Sequence, residues 1–163
     1  MRTEDIEVFL TSYAAAWASN DSDKIALHWD SNEPEPFYKA EEELNYFHDF
    51  VEIRNYWKHN EAFHQAIRLK FSNISFKSLP GAYAQVFIRM RWDIKFADNA
   101  KTPDGAVFNQ AGKLMGGENH VLALIRDADS ELKLVGWSET PDAPISYMRQ
   151  LYEWVAQPIT EQM

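Results

Sequence analysis

The sequence predicts an α+β fold in which helices pack on one face of a curved antiparallel sheet. Two observations carry that expectation. Apolar residues recur at steps of three and four in the first third of the chain, then at steps of two along four long segments. The helical patterns come first and the strands follow as a meander, which keeps the two kinds of element apart rather than alternating them.

The first helix is expected from about Glu4 to Ser19, with Thr3 as N-cap and Glu4, Asp5 and Glu7 at the positive end of its dipole. Ile6, Phe9, Leu10, Tyr13 and Trp17 form its apolar face. The stretch "NDSD" breaks and recaps the chain, and a short second helix runs from about Ser22 to Trp29. Pro34 and Pro36 forbid helix in the loop that follows, which opens into an extended piece through Phe37 and Tyr38. A third helix is expected from about Asp49 to His59, with Phe50, Ile53 and Trp57 on one face.

Residues 67–79 and 82–96 alternate at period two on either side of a Pro-Gly turn, as a hairpin does. In the second of these strands Val86, Ile88, Met90, Trp92 and Ile94 share a face. Residues 113–127 form the next strand, with a bulge expected at Gly116 and Gly117. In it Glu118, His120, Leu122 and Leu124 share the face that carries the larger apolar residues, so His120 is expected to point inward; a slip of one residue would put Asn119 there instead. Residues 131–140 close the sheet. A last helix is expected over residues 142–157, with Pro144 in its first turn.

The totals exclude several classes of function. No repeat, low-complexity tract or linker interrupts the 163 residues, so one domain is expected over 1–163. The chain has no cysteine, which rules out disulfides and thiolate zinc sites and fits a cytoplasmic protein. No run approaches the ~18 apolar residues of a membrane span, and the acidic start does not read as a signal peptide. The net charge of −9 repels a phosphate backbone and argues against nucleic acid as a partner. His28, His48, His59 and His64 form neither H-x-H nor H-E-x-x-H, so no metal and no cofactor is expected. Phosphate loops and serine-hydrolase elbows are absent.

Two stretches resemble a known family. "YAAAWASNDSDKIALHW" is similar to the opening helix pair of the nuclear-transport-factor-2-like superfamily, in its SnoaL-like and ketosteroid-isomerase-like branch. "ELKLVGWSETP" is similar to that family's closing strand; Leu132 stands for its usual tryptophan, and Gly136 and Ser138 stand where polar pocket residues commonly sit. The resemblance implies a cone-shaped α+β barrel with the N-terminal helices packed in the concave face of the sheet, enclosing an apolar cavity. It also implies a homodimer paired through the sheet face, here the mixed outer face of Tyr83, Phe87, Arg89 and Arg91.

In the isomerases of that family a first-helix tyrosine donates to the substrate oxyanion, and Tyr13 matches it without a gap from the "NDSD" turn. The alternative is a core tyrosine satisfied by a backbone carbonyl. The isomerase base has no counterpart, because Phe37 and Tyr38 occupy its place. The second acid is matched by Asn119 and His120. What remains is closer in style to the scytalone dehydratases, where tyrosines, histidine and an amide work through a water.

The candidate catalytic residues are therefore Tyr13 as oxyanion donor, His120 as acid or base, and Tyr38 and Asn119 as polar groups of the pocket. Glu41 and Glu42 are weaker candidates for a displaced base. Trp17, Trp29, Phe37, Trp57, Met90, Trp92 and Met115 are expected to line the pocket, since wide flat side chains suit an aromatic ligand. The function expected is a cofactor-free lyase or isomerase acting on a small hydrophobic, aromatic or polycyclic compound. The alternatives are a binding protein of the same shape and an accessory subunit of a ring-hydroxylating dioxygenase.

Overall fold

The computed structural model describes residues 1–102, 105–128 and 131–142. The last expected helix lies, beyond residue 142, outside the described residues. Three helices, α1 (Thr3–Ala18), α2 (Ser22–Ala26) and α3 (Phe50–Phe63), accompany five strands. These are β1 (Phe37–Lys39), β2 (His64–Leu79), β3 (Tyr83–Phe96), β4 (Leu114–Ala128) and β5 (Glu131–Pro141). They form one sheet in the order β1-β5-β4-β3-β2, antiparallel except for the parallel β1–β5 pair. β1 and β2 stay as separate edges, so the cone is open rather than closed.

The helices form where the apolar stripes demand. Ile6, Leu10, Tyr13 and Trp17 bury one side of α1 against the sheet. The cap is Arg2 rather than Thr3: the Arg2 backbone N–H donates to the Asp5 carboxylate at 3.0 Å, which starts the helix one residue earlier. α2 stops at Ala26, short of Trp29, because the chain is drawn into a parallel bridge with β5. There Asp30 N–H donates to Leu134 O at 2.9 Å and Leu134 N–H to His28 O at 2.8 Å. Asp49 caps α3, accepting from Val51 N–H at 2.7 Å. That helix runs past His59 to Phe63 and passes directly into β2 at His64. Asn20, in the left-handed region at φ 50°, ties this junction down by donating to the carbonyls of Glu61 and His64, both at 3.0 Å.

Bulges fall elsewhere than expected. β3 and β4 keep an unbroken register through Trp92↔Gly117 and Asp93↔Gly116. Gly117 serves instead as room for an indole, since a Cβ there would lie 2.7 Å from the Trp92 ring. With Met90 inward and paired to Asn119, the buried face of β4 carries Asn119, Val121, Ala123 and Ile125. Glu118, His120, Leu122 and Leu124 therefore face away from the helices, opposite to expectation. The register does shift between Leu124 and Ile125, where β5 carries Val135 as an extra residue. Among the described residues no helix is long and apolar enough to cross a membrane.

Candidate functional site

The concave face of the sheet, the end of α3 and the loop after β1 enclose a cavity of about 450 Å³. Of the expected lining, Trp17, Met90, Trp92 and Met115 do border it, as does Tyr38, expected as a polar group of the pocket. Trp29 and Trp57 do not. They are core residues, packed on each other at 5.3 Å and against Tyr38 at 5.9 and 5.8 Å. Phe37 alternates with Tyr38 along β1 and points the other way, toward Tyr46 and the bare backbone of Gly136.

Tyr13 is wholly buried but does not reach the cavity. Its ring packs against Trp17, His28 and Trp137 at 6.3, 5.6 and 5.3 Å. Among the described residues its hydroxyl makes no well-formed hydrogen bond, to a backbone carbonyl or otherwise, and only the Trp17 and Trp29 indoles approach it. Burial pushes its pKa up, which keeps the phenol protonated. His120 stands on the outer face of the sheet, its side chain 64% exposed and 3.8 Å from Asp142. The expected inward course of His120 fails because the sheet buries the face of Val121, Ala123 and Ile125 and leaves the larger Leu122 and Leu124 half-buried on the other. Arg89, beside it on that face, is held by Glu118 at 2.5 Å and by Asp142.

Asn119 takes the inward place, wholly buried, and donates from Nδ2 to Glu139 Oε2 at 2.8 Å. Glu139 is the group that the sequence reading missed. It lines the cavity and takes a second hydrogen bond on Oε1 from the Trp137 indole N–H at 2.7 Å. Burial, aided by repulsion from Glu42 and Glu41, pushes its pKa up to about 7 against the pull of those two donors.

The Val135 bulge explains the miss. Uninterrupted alternation from Leu134 would have turned Gly136 and Ser138 inward; the extra residue turns Trp137 and Glu139 inward instead. The one signal in the sequence was a Trp followed two residues later by an acid, a pair bound to share a face in either register.

Two further features complete the wall. On the loop after β1, Glu42 accepts a hydrogen bond from the Tyr56 hydroxyl at 2.5 Å, and burial raises the pKa of Glu41. At the α3–β2 junction, burial and the neighbouring His59 lower the His64 pKa to about 4, and its Nδ1 has no hydrogen-bond partner among the described residues. No group of three or more metal-ligating side chains is assembled among the described residues. A carboxyl with a pKa near neutrality, fixed by two donors at the edge of an apolar cavity, can take up and return a proton at physiological pH.

The sequence matches no protein-family model and no curated protein. The architecture does match solved structures. A nuclear transport factor 2-like superfamily protein from Salmonella enterica serovar Typhimurium aligns with a TM-score of 0.68 at 11% identity, over 86% of this chain and 91% of that one. The chain has the nuclear transport factor 2-like fold.

Two other structures with this architecture come from Novosphingobium aromaticivorans. One is assigned as a scytalone dehydratase, with a TM-score of 0.67, 11% identity, and coverage of 86% of this chain and 83% of that one. The other is assigned as an aromatic ring hydroxylase, with a TM-score of 0.68, 15% identity, and coverage of 88% and 93%. Within the nuclear transport factor 2-like frame, this chain brings its buried carboxyl from β5, whereas β1 contributes only Tyr38 to the cavity.

Proposed function

We propose that the protein is a cofactor-free lyase or isomerase for a small hydrophobic, aromatic or polycyclic substrate, with Glu139 as the group that moves the proton. The observation that carries this reading is the Glu139 carboxyl, with its pKa pushed up to about 7 at the wall of an apolar cavity and oriented by Trp137 and Asn119. As carboxylate it takes a proton from carbon. As acid it returns that proton to a departing hydroxyl, releasing water, or to another carbon, giving an isomer. Tyr38 borders the same cavity, and burial raises its pKa well above the ordinary tyrosine value. It therefore serves as a protonated donor to the oxyanion that develops, a contribution of ~3–4 kcal/mol for a well-placed donor. The structural likeness to a protein assigned as a scytalone dehydratase supports elimination over other chemistries. The protein is proposed to act in the cytoplasm as a homodimer through the outer sheet face, where Phe87 is 46% exposed.

The test is product formation, by liquid chromatography and mass spectrometry, from aromatic alcohols, hydroxyketones and enones, with Glu139→Gln run in parallel. At least one compound should react, the variant should be slower by roughly 10²-fold or more, and kcat/KM should titrate near pH 7. If no compound reacts while several quench tryptophan fluorescence, the cavity binds without catalysing, and the proposal fails.

A further inference from the structure

The charge of the cavity lining is one-sided. Glu139 lies within it, and Glu41, Glu42 and Glu43 stand on the loop along its border. No lysine or arginine belongs to the described lining, and its two histidines include His64, which burial keeps uncharged at neutral pH. Among the described residues none of these four glutamates forms a salt bridge; the hydrogen bonds to Glu139 and Glu42 come from the neutral groups of Trp137, Asn119 and Tyr56.

A second observation points the same way. The remaining wall is rich in rings, among them Trp17, Trp92, Trp137, Tyr56 and Phe96. Aromatic faces attract a cation that has left water, and they also hold an apolar body by area. The net charge of −9 steers cations toward the protein and anions away.

We propose that the cavity selects compounds with a protonated amine on an aromatic or other apolar body. The ammonium lies with Glu41 and Glu42, and the apolar body lies along the rings with its reacting carbon at Glu139. This names the substrate class of the proposed acid–base site and rests on that cavity being the substrate site.

Three probes of one shape and different charge test it by calorimetric titration at pH 7.5: 2-naphthylmethylamine, 2-naphthylmethanol and 2-naphthoate. The amine should bind at least tenfold more tightly than the alcohol, and the carboxylate at least tenfold more weakly. The advantage of the amine should shrink severalfold in 0.5 M NaCl and in the Glu41→Gln/Glu42→Gln double variant, whose circular dichroism serves as the folding control. Equal affinities for amine and alcohol in the wild-type protein would overturn the selection of amines. If neutral compounds are then still turned over in a Glu139-dependent manner, the acid–base reading stands without it. Preference for the amine with no turnover of any compound supports the selection and removes the enzyme reading.

Discussion

Tyr13 and Glu139 share a neighbour and differ in almost everything else. The Trp137 ring packs against Tyr13 at 5.3 Å, while its indole N–H donates to Glu139 at 2.7 Å. Burial pushes both pKa values up. Around Tyr13, however, rings of Trp17, His28 and Trp137 seal the phenol, and its oxygen makes no well-formed hydrogen bond among the described residues. Around Glu139 two donors fix the carboxyl, and its accessible surface opens on a cavity of about 450 Å³. Burial perturbs a polar group in either setting. Access and directed hydrogen bonds decide which one has chemistry available to it.

The largest expected effect tests that distinction directly. On a substrate that the protein turns over, Glu139→Gln should lower kcat by roughly 10²-fold or more, because the amide cannot carry the proton. Tyr13→Phe should alter kcat by less than about threefold, since its oxygen does not reach the cavity. Equal losses in the two variants would break the comparison and return Tyr13 to the reacting centre.

The next effect is on stability and its sign follows from linkage. The Glu139 pKa is raised on folding from about 4.5 to about 7. Its favourable contribution is therefore complete below pH 4.5 and is lost as pH rises through 7. At about 1.4 kcal/mol per unit, the loss is on the order of 3 kcal/mol. The His64 pKa falls on folding from 6.5 to about 4, so its contribution is present above 6.5 and is lost as pH falls through 4. Urea unfolding at several pH values should show the wild-type protein losing stability between pH 4.5 and 7 relative to Glu139→Gln. Parallel curves would mean that Glu139 ionises in the folded protein as it does in water.

The same contrast marks how far the sequence could be read. Helix and strand order was legible because long apolar stripes leave few alternatives: Ile6, Leu10, Tyr13 and Trp17 can share a side only on a helix, and Val86, Ile88 and Met90 only on a strand. The lining was legible in part for the same reason, through Trp17, Met90 and Trp92. The polar groups were not. Their direction hangs on single-residue insertions in strands, and a bulge at Val135 leaves no mark in composition, while Gly116 and Gly117 imitate one that does not form. The phase of β4 thus turned His120 outward, and the phase of β5 turned Glu139 inward. Tyr13 matched its expected place on α1, but whether a buried phenol meets a cavity depends on where neighbouring rings stop, which no local pattern records.

The smallest effect sharpens the comparison most, because it has opposite signs for the two readings of Tyr13. A hydroxyl that donated to a backbone carbonyl would contribute net stability, and Tyr13→Phe would lower the melting temperature by about 2–4 °C for a loss near 1 kcal/mol. The hydroxyl found here has surrendered water and, among the described residues, gained no well-formed hydrogen bond, only the weaker approach of the Trp17 and Trp29 indoles. Removing it relieves a desolvation penalty of about 1–3 kcal/mol, offset in part by the contacts one oxygen makes with the surrounding rings. Tyr13→Phe should therefore unfold about 2–4 °C higher than the wild-type protein, a gain near 1 kcal/mol. Differential scanning calorimetry at pH 6 reads the sign cleanly. A lower melting temperature would show that the phenol holds a hydrogen bond in solution, and the sealed side of Trp137 would then have a polar function of its own.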